Sequence, residues 1–222
     1  MDFIFMLTRA DKTVPDCLEV LDYILPVGIT HIGFKDVGVP RQTLADMVAR
    51  IRDAGATCYM EVVSTSPEAC LESARVARDI GVDCLLGGTD VDAVLDILAG
   101  SKTVYYPFPG RPHDHPTRLG GGPDDIEKDC QVFMAKGCAG CDLLAYRATE
   151  SDPLDLVRAA RRGLGTGHLI CAGSVTSAQQ IRDLAAAGCD AFTIGSAALD
   201  GSFSPGKGSL RSQLRDILAA RS

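Results

Sequence analysis

Five times along this chain a helical stretch stops at a glycine and an apolar strand follows at once: VGITHIGF, AGATCYMEV, IGVDCLLGG, KGCAGCDLLAY and AAGCDAFTIG. Glycine ends helices well because it accepts the left-handed backbone that a helix terminus asks for. Gly28, Gly55, Gly81, Gly137 and Gly188 are therefore read as helix stops. A helix–glycine–strand unit repeated in one direction builds a parallel sheet with helices laid over it.

Strands read in this way number eight, near residues 2–7, 30–35, 57–63, 83–87, 102–107, 141–146, 168–172 and 191–195. Stretches between them, such as TLADMVARIRDAG and SAQQIRDLAAAG, place apolar residues at three- and four-residue spacing, the period of a half-buried helix. The 222 residues contain no Pro- or Ser-rich linker. The expectation is a single (β/α)8 barrel domain over residues 1–222. The alternative is an open doubly wound sheet, weakened by the lack of a G-x-G-x-x-G after the first strand.

Two successive strands near the end of the chain each run into Gly-Ser: LICAGSV at Gly173-Ser174, and AFTIGSA at Gly195-Ser196. Glycine lets a ligand approach the backbone, and free N–H groups at the start of a helix attract an anion. The loops after strands seven and eight of a barrel lie side by side, so these four residues are expected to cradle one phosphate group.

A barrel site is built from the C-terminal ends of its strands. Lys35 ends strand two inside HIGFKDVG, and Glu61 follows mostly apolar residues on strand three. A lysine on an apolar strand must pair, shift its pKa or face a wet pocket. Lys35 and Glu61 are the catalytic candidates: a Schiff base, proton transfer, or a grip on a substrate anion for Lys35, and proton shuttling with Glu61. A purely structural ion pair between the two is the competing reading. Strand one ends at Thr8-Arg9, while Asp36 and Asp90 are as well suited to capping the following helices.

The segment FPGRPHDHPTRLGGGP after strand five reads as a long irregular loop on the same rim. From it Arg111 and His113, and from the end of strand six Arg147, are expected to join the phosphate contacts, with Arg118 a further candidate grip for a carboxylate or second phosphate. His113 and His115 have no evident third partner, so no metal site is expected. Cys138-Ala-Gly-Cys141 is a lone C-x-x-C at the opposite rim and reads as structural. Lys207, in GSFSPGKG, is a possible addition to the anion site without matching a P-loop.

The bulk numbers exclude several classes. A net charge of −7 without a basic run argues against nucleic acid. No apolar run approaches the ~18 residues that cross a membrane. The start, MDFIFMLTRADK, lacks the basic region and cleavage site of a signal peptide, so the cytoplasm is expected. Nine cysteines scattered over core elements suggest reduced, buried thiols.

Through ICAGSV and FTIGSA the chain resembles the phosphate-binding (β/α)8 barrels: the ribulose-phosphate-binding barrels, the sugar-phosphate epimerases and the flavin mononucleotide barrels. The likeness is good over the last third and elsewhere lies only in the strand–helix rhythm. The D-x-K-x-x-D strand of the decarboxylase branch is absent from FKDVG. The whole chain also looks like bacterial proteins labelled 4-hydroxythreonine-4-phosphate dehydrogenase, although no nicotinamide-binding signature or three-histidine metal site is legible. The resemblance implies an enzyme on a small phosphorylated metabolite, an isomerase or epimerase or a carbon–carbon lyase, without a cofactor and as a homodimer by default. The alternatives are an FMN-dependent oxidoreductase and a non-catalytic barrel that binds a phosphorylated metabolite.

Overall fold

The computed structural model describes residues 1–63 and 66–221. Eight parallel strands among them form the sheet: β1 (Asp2–Met6), β2 (His31–Lys35), β3 (Thr57–Glu61), β4 (Cys84–Leu86), β5 (Val104–Tyr106), β6 (Gly140–Leu143), β7 (His168–Cys171) and β8 (Ala191–Ile194). Their order is β6–β7–β8–β1–β2–β3–β4–β5. The seam between β5 and β6 is closed by two backbone bonds, Ala139 N to the Tyr105 carbonyl and Asp142 N to the Pro107 carbonyl, each 3.0 Å. The expected (β/α)8 barrel is the observed one; seven strands lie within about two residues of their expected spans, while β6 stops at Leu143, three residues short of its expected end, and a turn takes over at Ala145–Arg147.

Alternation along the strands makes two apolar layers. Ile4, Met6, Tyr59, Cys84, Leu86, Tyr106 and Ile170 pack inside the barrel. Phe3, Phe5, Phe34, Met60, Leu85 and Phe192 face outward into the larger core beneath the helices. Those helices are α1 (Cys17–Ile24), α2 (Arg41–Asp53), α3 (Pro67–Ile80), α4 (Val91–Leu98), α5 (Pro123–Ala135), α6 (Pro153–Leu164), α7 (Ala178–Ala186), the single turn α8 (Ser196–Leu199) and α9 (Leu210–Ala220). Proline opens α3, α5 and α6, where its missing N–H costs nothing. Asp90, Asp152 and Ser177 cap α4, α6 and α7 with side-chain oxygens. The five glycines read as helix stops all have φ between 73° and 94°. No helix among the described residues is long and apolar enough to cross a membrane.

Two short hairpins stand on the C-terminal rim. Thr8–Arg9 pairs with Lys12–Thr13 directly after β1. Arg111–His113 pairs with Arg118–Gly120 after β5. The second corrects the reading of 108–123 as irregular: prolines at 107, 109, 112 and 116 hide the alternation that marks a strand. Asp36 also departs from expectation. It does not cap α2; its carboxylate accepts from Val63 N at 3.0 Å and from the Ser73 hydroxyl, tying β2 to the start of the next unit.

All nine cysteines are free and buried. Within the C-x-x-C, burial pushes the Cys138 thiol up to about 11, and Cys141 lies 3.7 Å from Cys130 rather than facing solvent.

Candidate functional site

The C-terminal ends of the strands enclose a cavity of about 240 Å³. Seven of the residues expected at the site line it together: Lys35, Glu61, Arg147, Gly173, Ser174, Gly195 and Ser196.

The cradle side is made by backbone. After β7 the chain turns through Gly173 (φ 75°) and Ser174 (φ 60°), the latter a non-glycine residue in the left-handed region. No acceptor among the described residues takes the N–H of Gly173, Ser174 or Val175. After β8, the first turn of α8 likewise leaves the N–H groups of Ser196 and Ala197 open. Both glycines are required by close approach. A Cβ on Gly195 would sit 2.7 Å from the Thr8 carbonyl oxygen and 2.9 Å from that of Met6. A Cβ on Gly173 would collide with the Nε of Arg147, whose side chain crosses that turn.

The opposite side is a buried charge cluster. Lys35 Nζ donates to Asp11 Oδ1 at 2.8 Å and to Glu61 Oε1 at 3.0 Å. Arg147 grips Asp11 with both terminal nitrogens at 2.9 Å and donates to the Thr117 carbonyl at 3.1 Å. Local structure holds each partner. Thr13 Oγ1 accepts from Lys35 N at 2.9 Å and donates to Lys35 O at 2.7 Å, which fixes the end of β2. Ala10 and Asp11 form the two-residue loop of the first hairpin with φ 48° and 58°, a conformation that strongly favours Asn-Gly. The bidentate pair to Arg147 holds Asp11 in that unusual backbone.

Two cations and two carboxylates cancel. Burial opposes the charge of Asp11, but the Arg147 bonds and Lys35 outweigh it and hold the carboxyl well below the usual range. Burial also opposes the charge of Lys35, yet Glu61 and Asp11 raise its pKa, so it rests as a cation. A fifth group, Asp142 on β6, is fully buried, and neither carboxyl oxygen has a hydrogen-bond partner among the described residues. Burial first, then the charge of Glu61, pushes it well above the usual carboxylate range. With both cations already matched, Asp142 stays protonated.

That state has a measurable signature. Because its folded pKa is raised, folded Asp142 keeps a proton that the unfolded chain releases above about pH 4, and stability falls as pH climbs through this window. Asp11 acts in the opposite sense, but its contribution is complete above about pH 5. Asp142→Asn is therefore expected to flatten the decline of Tm as pH rises above about 4. Parallel Tm profiles for the two proteins would show that Asp142 is ionised.

Other expected residues stand elsewhere. Arg111 and His113 do not reach the cavity. Arg111 is tied to Asp125 at 3.0 Å and Glu150 at 3.1 Å, and His113 to Asp114 at 3.0 Å. Arg9 pairs with Asp200, and Lys207 with Asp216. Asp11 and Asp142 are the residues that sequence reading missed. Asp142, in CDLLAY, carries the signal that singled out Lys35, a charged residue on an apolar strand. Asp11 looks like an ordinary turn residue, and nothing local distinguishes it.

The fold and the rim cavity define a (β/α)8 barrel with its polar site at the C-terminal end, and solved structures share this architecture. Aligned over 98% of both chains, it resembles a mutant tryptophan synthase α-subunit from Pyrococcus furiosus, with a TM-score of 0.69 and 14% identity. It also resembles orotidine 5′-phosphate decarboxylase from Pyrococcus horikoshii, with a TM-score of 0.67 and 14% identity over 99% of this chain and 98% of that one. Thiamine phosphate pyrophosphorylase from Pyrococcus furiosus aligns with a TM-score of 0.65 and 14% identity over 98% of this chain and 95% of that one. No family model and no curated protein matches the sequence.

Proposed function

We propose that this chain is an enzyme acting on a small phosphorylated metabolite, an isomerase or epimerase or a carbon–carbon lyase whose reaction passes through an enolate. One observation carries the reading. Uncommitted backbone N–H groups from two adjacent turns open on the same cavity as a buried lysine–carboxylate pair. Two of the fold's likenesses are named for phosphorylated compounds, which agrees with a phosphate cradle at this rim.

The turns after β7 and β8 hold the phosphate. Glu61 takes a proton from the carbon beside a carbonyl, and the electron pair left behind moves onto the carbonyl oxygen. Lys35, as a cation, holds that oxygen or gives it a proton. In the lyase form Glu61 takes instead the proton of the hydroxyl on the carbon beyond; that carbon leaves as a carbonyl, the carbon–carbon bond breaks, and the same oxygen receives the electrons. A Schiff base at Lys35 requires its proton to leave first, and its two carboxylate partners disfavour that loss.

Inorganic phosphate and glycerol 3-phosphate are expected to raise Tm, by the equivalent of about 2.7 kcal/mol at a hundred times Kd. Gly195→Val should abolish that response. Phosphorylated ketoses and aldoses incubated in D2O should gain deuterium beside the carbonyl, read by NMR. Binding without exchange would favour the non-catalytic barrel, and a yellow protein with bound flavin would favour the FMN reading. Absence of any response to phosphate monoesters would remove the proposal.

A further inference from the structure

We infer that the substrate carries a second anionic group, a carboxylate, held by Arg118 and Tyr146 in a groove beside the phosphate cradle. This rests on the phosphate reading of the main cavity and extends it to substrate class.

The groove measures about 460 Å³ and lies between the second hairpin and the turn Ala145–Arg147 that follows β6. It shares Arg147 and Ser174 with the main cavity, so the two spaces meet at the phosphate turn. Its walls are fixed by backbone. Leu119 bridges to Ala148, and the Leu119 carbonyl accepts from Thr149 N at 3.0 Å and Thr149 Oγ1 at 3.2 Å. A hairpin tied in this way presents Arg118 from one side and Tyr146 from the other.

The lining is one-sided in charge. Acidic residues outnumber basic ones in the chain, 29 to 22, yet no Asp or Glu lines the groove and two arginines do. The two differ in state. Arg147 is spent on Asp11 and the Thr117 carbonyl. The Arg118 guanidinium has no partner among the described residues, whereas Arg111, on the facing strand of the hairpin, is neutralised by Asp125 and Glu150. The Tyr146 hydroxyl is also without a hydrogen bond. Burial pushes it up to about 12, so it remains a donor.

The donor set selects the kind of anion. A phosphate dianion is usually met by several converging N–H groups, as in the cradle. The groove instead offers one planar guanidinium fork and one hydroxyl, which suit the two coplanar oxygens of a carboxylate.

The test compares phosphate esters that differ in the second group. Calorimetric titration would use 3-phosphoglycerate and 4-phosphoerythronate against glycerol 3-phosphate and erythritol 4-phosphate. At least one acid should bind about tenfold tighter than its alcohol. Arg118→Gln should erase that preference by weakening the acid alone, and Tyr146→Phe should reduce it. Arg111→Gln, on the same hairpin but outside the groove, should leave it intact. Equal affinity for acid and alcohol, or equal weakening of both by Arg118→Gln, would overturn the carboxylate subsite while leaving the phosphate cradle standing. Failure of all four esters to bind the folded protein would overturn both readings.

Discussion

Lys35→Met is expected to eliminate turnover and to destabilise the protein by roughly 3–5 kcal/mol, the usual cost of removing one member of a buried ion pair. The cause is specific. Asp11 keeps Arg147, but among the described residues Glu61 has no side-chain hydrogen-bond partner besides Lys35 and would be left buried and without a counter-ion. Loss of stability in this single variant therefore does not separate a catalytic lysine from a structural one. The double variant Lys35→Met, Glu61→Leu does. It removes both charges and leaves Asp11 with Arg147, so urea denaturation should recover most of the lost stability. Turnover and solvent exchange should remain absent. A double variant that regains stability and activity together would show the pair to be scaffolding, and an active Lys35→Met would exclude it from the chemistry.

Arg147→Gln is expected to reach both halves of the site. It breaks the bidentate hold on Asp11 and leaves the carboxylate with Lys35 alone, at a cost of roughly 2–4 kcal/mol. It also removes the side chain that lies across the Gly173 turn, so phosphate affinity should fall by about tenfold to a hundredfold through displacement of that turn. The pH dependence gives an independent reading. The folded pKa of Asp11 is depressed, so its stabilisation is present above the unfolded value near pH 4 and is lost as pH falls below it. The stability gap between wild type and Arg147→Gln should be full at neutral pH and narrow as pH drops below about 4. A gap that does not change with pH would mean that Arg147 acts through packing alone.

Much of this architecture is legible in the chain because local chemistry and fold agree. Glycine stops, apolar strands and helical spacing repeat in phase, and barrel closure then decides which strand ends meet. That is how Lys35, Glu61 and the two Gly-Ser turns, scattered over more than 150 positions, can be placed on one rim. The second hairpin was not legible because proline interrupts its pattern, and with it went the expectation that Arg111 and His113 face the phosphate. The bond between Asp11 and Arg147 spans 136 residues and has no local sign. Asp142 was legible in principle, by the argument already applied to Lys35. Its neutrality was not, because that depends on the count of cations folded around it.

The cancellation of charge at the barrel mouth has a consequence for what the site can hold. Its lysine and inner arginine are each answered by a carboxylate before any guest arrives, so the cluster offers no net positive charge to draw a dianion in. On the proposed reading, a dianion is held chiefly by peptide dipoles, which have fixed direction and no proton to lose. Selection by such a surface is by shape and placement of oxygens, and it should change little across the pH range in which the side chains around it would otherwise titrate.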